Sequence, residues 1–457
     1  MRMIRNVTAI FDIGKTNKKF FLFDRDFHEV HREYTHLEPA ADEDGYPSED
    51  LQALTTWMRE VFERALAQPR WEIGSLNFST YGATLVHLNA QGKPLTPLYN
   101  YTKPYDPALE DAFYRRYGPQ DEFGRITGTS RSGMLNAGMQ LYWLRHRKPS
   151  VFRQIRHSLH LPQYLSYLFT GKPVSEYTSI GCHTALWDYR HHRYHPWVGA
   201  EGLDTVLAPL VSTQTTYPVT YHGRALRVGV GIHDSSAALL PYLKSIDKPF
   251  ALLSTGTWSI ALNPFADGHL SEEDRRHDCI NYMRVDGEPV KAARLFLGNE
   301  FKLQLNALSA RYGAPEHAYR EVAFDRVAFE GIRAEGRSLF HWESLEEPCP
   351  EQTRWEHPDY PGAYHQLLFE LCRLQCRRLQ AVIGDTPIDG LYIDGGFASN
   401  TVFLEILSRM LPSRLYTTDA SLGSALGAAV VVAERPLHRG FLETHFALRK
   451  HRKPTPS

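Results

Sequence analysis

Short apolar runs broken by small polar turns recur in both halves of this chain. Val7-Thr8-Ala9-Ile10-Phe11 predicts a buried strand, Gly14-Lys15-Thr16 a turn, and residues 19–24 (KFFLFD) a second strand, together a hairpin. Leu51, Leu54, Met58, Val61, Phe62 and Leu66 repeat at helical spacing, which predicts a helix over 51–66. Residues 75–80 read as a strand ending in Tyr81-Gly82. Helices follow over 139–145 and 159–169, the second closed by Thr170-Gly171. The run ALLSTGTWSIAL, from Ala251, repeats the first pattern: two apolar stretches flank Thr255-Gly256-Thr257. A long helix is expected over 367–382, a strand over 390–394, a break at Gly395-Gly396 and a helix over 401–411. Residues 423–432 (GSALGAAVVV) predict a helix of small residues suited to close packing. A hairpin with a polar turn in each half suggests two related domains facing a cleft, with a boundary near residue 245.

Composition narrows the class. A chain of 457 residues exceeds one ordinary domain, and 42% apolar content supplies sizeable cores. No stretch reaches the roughly 18 consecutive apolar residues that would span a bilayer. The start, MRMIRNVTAIFDIG, is basic then apolar, but Asp12 interrupts it early and no small-residue cleavage site follows, so it reads as a buried strand. A formal charge of −1 advertises neither a nucleic-acid nor a membrane partner. The basic end (Arg449, Lys450, His451, Arg452, Lys453) reads as a solvated tail. Five irregularly spaced cysteines (Cys182, Cys279, Cys349, Cys372, Cys376) point to free thiols and a reducing compartment, hence the cytoplasm. Cys372 and Cys376 share a helical face without a matching ligand pair elsewhere, so packing explains them.

Four segments carry the candidate chemistry of phosphoryl transfer, which needs phosphate donors, a carboxylate for Mg²⁺ and a base. Asp12-Ile13-Gly14-Lys15-Thr16-Asn17 puts an acid at a strand end beside a turn whose N–H groups can face phosphate, with Lys15 or Lys19 adding charge. Ser254-Thr255-Gly256-Thr257 offers small residues that let backbone amides approach a phosphate. Asp234 follows the Gly-rich run VGVGI and His233, where a carboxylate can serve as general base; His233 reads as its packed neighbour. Asp394-Gly395-Gly396-Phe397-Ala398-Ser399-Asn400 joins a strand to a helix with glycines that admit a nucleotide. Each alone also fits an ordinary turn, strand-to-helix connection or, at Asp234, a helix cap. Neither GxxxxGK[ST] nor GxGxxG is present, so Walker-type and dinucleotide-binding sites lose support.

In order and spacing these segments resemble the FGGY carbohydrate kinases of the actin-like ATPase superfamily, over roughly residues 7 to 435. The family's first phosphate turn is matched by Asp12 to Thr16, its catalytic Asp by Asp234, and its Ser/Thr-Gly-Thr turn by Thr255-Gly256-Thr257. Its adenosine run is matched by Asp394 to Asn400, and its closing helix by Gly427-Ala428-Ala429. Thr127-Gly128 fits its Thr-Gly before the long helical section. His233-Asp234 with Leu253-Ser254-Thr255-Gly256-Thr257-Trp258 looks like the L-fuculokinase and L-rhamnulokinase branch. Thr80-Tyr81-Gly82-Ala83-Thr84 matches that branch's sugar segment, with Thr84 in place of an Asp. Lys15 replaces a hydroxyl residue, Asp394 a glycine, and Tyr99 to Lys103 a Trp-x-Asp-x-Arg sugar-contact segment.

The resemblance implies an α/β chain of two actin-like (ribonuclease H-like) domains around a catalytic cleft: residues 1–244, 245–440 and a basic tail over 441–457. It implies ATP and Mg²⁺, a small sugar, and a monomer or homodimer. Asp234 would be the base and Asp12 the metal residue. Gly14, Lys15, Thr16, Asn17, Thr255, Gly256, Thr257, Gly395, Gly396 and Asn400 would bind nucleotide. Thr80, Tyr81, Gly82, Thr84, Lys103, His233 and Asp234 would meet the sugar, a 6-deoxyketose phosphorylated at its 1-hydroxyl. A kinase for xylulose, ribulose or glycerol, or a silent nucleotide- or sugar-binding protein, are the alternatives.

Overall fold

Alternation of apolar residues on β-strands decides how the two halves stack. A computed structural model describes residues 4–419 and 423–451; Arg452 and Lys453 of the basic end lie outside it. In chain order the elements that build the site are β1 (Arg5–Ile13), β2 (Lys18–Asp24), β3 (Glu29–Thr35), α1 (Leu51–Leu66) and β4 (Trp71–Thr80). They continue with α2 (Ala137–Arg147), α3 (Leu161–Thr170), β5 (Thr216–Tyr221), β6 (Arg224–Gly229) and α4 (Asp234–Ser245). The second half holds β7 (Phe250–Thr255), β8 (Ser259–Asn263), β9 (Cys279–Met283), β10 (Pro289–Leu295) and α5 (Leu297–Tyr312). It ends with α6 (Tyr360–Ile383), β11 (Gly390–Gly395), α7 (Thr401–Met410), β12 (Arg414–Thr417), α8 (Gly423–Val432) and β13 (Arg449–Lys450).

The first sheet runs β5-β6-β4-β1-β2-β3, and the short strand Ile232–His233 pairs parallel to the end of β4. The second runs β9-β10-β8-β7-β11-β12-β13. Both expected hairpins form, β1 with β2 and β7 with β8, each antiparallel. In the second sheet, Leu252 and Leu262 face inward while Ala251, Leu253 and Ala261 pack outward on α5, α6 and α7. In the first, Ile10, Phe21 and Phe23 face inward, and Phe11, Phe20 and Leu22 pack outward on α1 and α3. Helices α4 and α8 fill the space between the two inner faces. The small residues of α8 permit this: a Cβ on Gly427 would lie 1.8 Å from the Ala237 carbonyl oxygen of α4. A separate helical core around Phe113, Trp143 and Trp197 is inserted between β4 and β5.

The two-domain α/β architecture expected from the sequence is therefore the one observed. Two local expectations differ. Residues 157–160 form a strand against Leu85–Leu88, and α3 starts only at Leu161, because Pro162 fits a first helical turn but not an interior one. Residues 441–448 are not part of a solvated tail: Phe441, Leu442 and Phe446 are buried and join the core around α4. Arg449 and Lys450 are exposed, as expected, but pair as β13 with β12.

Candidate active site

The turn after β1 is held from beneath. Gly14 N–H donates to the Asn17 carbonyl at 3.0 Å, and the Lys18 ammonium donates to the carbonyls of Gly14 (3.1 Å) and Lys15 (3.0 Å). Lys18 is 1% exposed and pairs with Glu49 Oε1 at 2.7 Å. Among the described residues, the N–H groups of Lys15, Thr16 and Asn17 donate to no protein acceptor, and Thr16 and Asn17 are exposed. The turn thus keeps donors available for an anion. Lys15 departs from expectation. Its ammonium lies over the rings of Tyr81 (5.2 Å) and Tyr101 (5.5 Å) and 3.9 Å from Glu49 Oε2. Cation–π attraction and the Glu49 charge draw it toward Tyr81 and Tyr101 and away from the open N–H groups of the turn.

Asp12 closes β1 and is buried. Ser424, in the first turn of α8, donates to Asp12 Oδ1 at 2.9 Å, and Lys19 stands 3.9 Å from Oδ2. Burial pushes this carboxyl up to about 6, with Lys19 and Ser424 opposing the shift and the charge of Asp234 adding to it. Among the described residues no cluster of three acidic, His or Cys side chains could cage a metal. This donor set suits Mg²⁺, which keeps waters and shares one or two carboxylates with phosphates.

Asp234 is the first residue of α4, and His233, not Asp234, occupies the capping position. Its side chain therefore stays at the helix start, where the dipole favours an anion, and remains 35% exposed. Asp234 Oδ1 accepts from Ser235 N–H at 2.6 Å and lies 3.4 Å from His233 Nε2. His233 is buried, with the same Nε2 3.3 Å from Cys182 Sγ, so it is a packed neighbour of Asp234.

Two cavities share a border at Ser399, and the second of them is lined by Asp234 and Ser424. One, of about 720 Å³, is lined by Gly256, Thr257, Gly298, Gly396 and Asn400 among others. The other, of about 750 Å³, is lined by Asp234, Ser235, Asp394, Gly395 and Ser424 among others. Ser399 borders both. Gly256, Thr257 and Gly396 line the first cavity and Gly395 the second.

Thr255 needs correction, and Asn400 lines the cavity with its amide already committed. The Thr255 hydroxyl donates to the Asp394 carbonyl and accepts from Phe397 N–H (3.1 Å), so it ties β7 to β11 instead of facing a ligand. Asn400 caps α7, accepting from Phe403 N–H at 3.0 Å and donating to the Tyr364 hydroxyl at 2.9 Å, so it shapes the wall with a committed amide. Asp394 is buried, its carboxyl pushed up to about 6 by burial, and accepts from Tyr242 at 3.4 Å. Gly298 is missing from the sequence reading. A Cβ there would lie 2.0 Å from the Gly256 carbonyl oxygen, so only glycine lets α5 close on the Gly256 turn.

The acceptor segment is equally mixed. A Cβ on Gly82 would come within 2.8 Å of the His233 ring, so this glycine brings the segment against the neighbour of the base. Tyr81 donates to Glu49 Oε2 at 3.1 Å. The hydroxyls of Thr80 and Thr84 turn inward, to the Tyr81 carbonyl (3.0 Å) and the Gly82 carbonyl (2.9 Å), and both side chains are buried. They brace the segment and are not presented to a sugar. Lys103 is also corrected: it donates to Asp42 and Asp44 at 2.6 Å each, beneath the rings of Tyr46, Tyr99 and Trp143. Tyr101, two residues earlier, lies within electrostatic reach of Asp234: burial raises its phenol pKa, and the Asp234 charge adds to the rise. Lys18, Glu49 and Ser424 had no motif to reveal them. Their only signal is long-range pairing.

A donor-bearing hairpin turn, a carboxylate opening a helix packed between two sheets, and a glycine-walled cavity stand together in one two-domain α/β fold. The chain belongs to the FGGY family of carbohydrate kinases: residues 7–232 match its N-terminal domain and residues 247–439 its C-terminal domain. It is 29% identical over 198 residues to a rhamnulokinase of Bacteroides thetaiotaomicron, covering 41% of this chain and 40% of that protein. It is 27% identical over 251 residues to a rhamnulokinase of Klebsiella pneumoniae, covering 51% and 47%. The matches therefore span about half or less of these relatives' length. Among solved structures, a carbohydrate kinase from Novosphingobium aromaticivorans superposes with a TM-score of 0.76 at 25% identity, covering 97% of this chain and 95% of that one. A xylulose kinase from Rhodospirillum rubrum superposes with a TM-score of 0.81 at 17% identity, covering 99% and 94%; it shares the fold.

Proposed function

We propose that this chain transfers the γ-phosphoryl group of ATP to the 1-hydroxyl of a small 6-deoxyketose such as L-rhamnulose or L-fuculose. The observation that carries this reading is Asp234: a partly exposed carboxylate at a helix start, with only Oδ1 engaged by Ser235, bordering the cavity that shares Ser399 with the glycine-walled one. Asp234 takes the proton of the attacking hydroxyl as its oxygen bonds to the γ-phosphorus and the bond to the β-phosphate oxygen breaks. The N–H groups of Lys15, Thr16 and Asn17 donate to phosphate oxygens, and Gly256, Thr257, Gly298 and Gly396 accommodate the nucleoside. Asp12 would hold hydrated Mg²⁺, which neutralises phosphate charge when bound. The 6-deoxyketose assignment draws on the named rhamnulokinase relatives and on Gly82 seated against His233. The domains divide near residue 245, between α4 and β7. The cytoplasm is the proposed location.

The test is ADP release from MgATP across a panel of ketoses and polyols, with Asp234→Asn as control. Stimulation by a deoxyketose and a loss of roughly 10²–10⁴-fold in the variant are expected. Absence of sugar-stimulated turnover with every member of the panel, or undiminished turnover in the variant, sinks the proposal.

A further inference from the structure

We infer that Glu49 is a positioning residue that couples the phosphate turn to the acceptor segment through Lys18 and Tyr81; this rests on the kinase reading above. Glu49 lies just before α1, outside both hairpins and outside every motif that the sequence presents. Its two carboxylate oxygens serve different parts of the site. Oε1 pairs with Lys18 at 2.7 Å, and Oε2 accepts from Tyr81 at 3.1 Å, with the Lys15 ammonium 3.9 Å away.

The Lys18 side of the link has the tighter logic. An ammonium buried this deeply needs a counter-charge and a partner for each donor. Lys18 has three N–H donors and three acceptors: Gly14 O, Lys15 O and Glu49 Oε1. Drawing those two carbonyls toward Lys18 fixes one face of the turn and leaves the N–H groups of Lys15 and Thr16 without protein acceptors among the described residues. Glu49 is thus the charge that allows a lysine to sit beneath the phosphate turn.

On its other side, Glu49 sets where Tyr81 ends. Tyr81 precedes Gly82, which lies against the ring of His233, and His233 Nε2 is 3.4 Å from the base Asp234. The Lys15 ammonium, over both Tyr81 and Tyr101, closes the same corner. One carboxylate therefore touches the turn that would meet phosphate and the segment that would meet sugar. Glu49 acts through these neighbours and contacts neither substrate.

The experiment separates the two arms. Direct titration with MgADP needs no sugar turnover, so it reads the phosphate arm even if the acceptor is misassigned. Steady-state kinetics with the best acceptor of the panel reads the other arm. Glu49→Gln is expected to weaken MgADP binding by about tenfold and to raise the acceptor KM as well. Tyr81→Phe removes one hydroxyl and leaves the Lys18–Glu49 pair intact. It should raise the acceptor KM severalfold while MgADP affinity stays within about twofold of wild type. A merely structural ion pair would lower the melting temperature and leave both constants unchanged in the folded fraction. Unchanged MgADP affinity in folded Glu49→Gln overturns the coupling. If that variant does not fold, a Tyr81→Phe enzyme with an unaltered acceptor KM overturns it equally. A wild type that binds MgADP yet phosphorylates no sugar refutes the kinase reading, while the titration still decides the Glu49 arm.

Discussion

Ser424 donates a 2.9 Å hydrogen bond to Asp12 Oδ1, joining residues 412 positions apart. The bond ties the start of α8 to the end of β1, so the proposed metal residue is held from the second half of the chain. Asp12 is raised to about 6 by burial, and this hydrogen bond lowers it. Ser424→Ala should therefore raise the Asp12 pKa further. If ionised Asp12 is needed with MgATP, activity falls as pH drops through its pKa. The acidic limb of kcat/KM for MgATP should then move to higher pH by roughly half to one unit. A pH–rate profile of the variant beside wild type checks this.

Asp394 carries a cost that pH can reveal. Its folded pKa is raised from 3.8 to about 6, burial being the largest cause. A buried acid with a raised pKa binds its proton more tightly folded than unfolded. Stability is therefore greatest below the unfolded pKa and declines as pH rises from about 4 to about 6. Asp394→Asn should remove that decline, adding up to roughly 3 kcal/mol at neutral pH and little at pH 4. Urea unfolding at the two pH values measures it. A variant destabilised at both would contradict this account.

How much was legible in the sequence depends on the range of the interaction. Strands and helices with strong local periodicity, such as the 51–66 helix and both hairpins, form as their patterns predict. Asp12, Asp234 and the glycine turns sit at strand ends or helix starts, and those local positions decide their placement. Hydroxyls and amides were less readable. Thr80, Thr84 and Asn400 each satisfy a backbone group close by in sequence, a competition that residue type alone does not disclose, whereas Thr255 is claimed by backbone 139 and 142 positions away. Lys103 was claimed by Asp42 and Asp44, 61 and 59 positions away. The same holds for the Lys18–Glu49 pair and for Gly298: a partner distant in sequence decides the role, and no spacing rule reaches it.

Gly427 offers a packing test with a functional readout. A Cβ there would lie 1.8 Å from the Ala237 carbonyl oxygen, and backbone cannot swing aside like a flexible side chain. Gly427→Ala should push α8 off α4, costing about 3 kcal/mol in chemical denaturation. Because Asp234 opens α4 and Ser424 lies in the first turn of α8, turnover should fall by more than the loss of folded protein. Equal stability of variant and wild type would show that the helices can separate without strain.

Gly298 tests the nucleoside cavity apart from the rest of the site. It lies in the first turn of α5, and its N–H donates to the Thr257 carbonyl at 3.1 Å, as that of Asn299 does at 3.2 Å. A methyl group at Gly298 would meet the Gly256 carbonyl oxygen at 2.0 Å, so α5 must retreat or the Gly256 turn must rotate. Either movement reshapes the cavity that Gly256, Thr257, Gly396 and Asn400 share. Neither involves the acceptor segment around Gly82. Gly298→Ala should therefore raise the KM for MgATP and the dissociation constant for MgADP by about tenfold or more. Acceptor KM should stay within about twofold. Steady-state kinetics with each substrate varied in turn, together with MgADP titration, decides between this outcome and its rival. A rise confined to the acceptor KM would mean that the glycine-walled cavity does not receive the nucleotide.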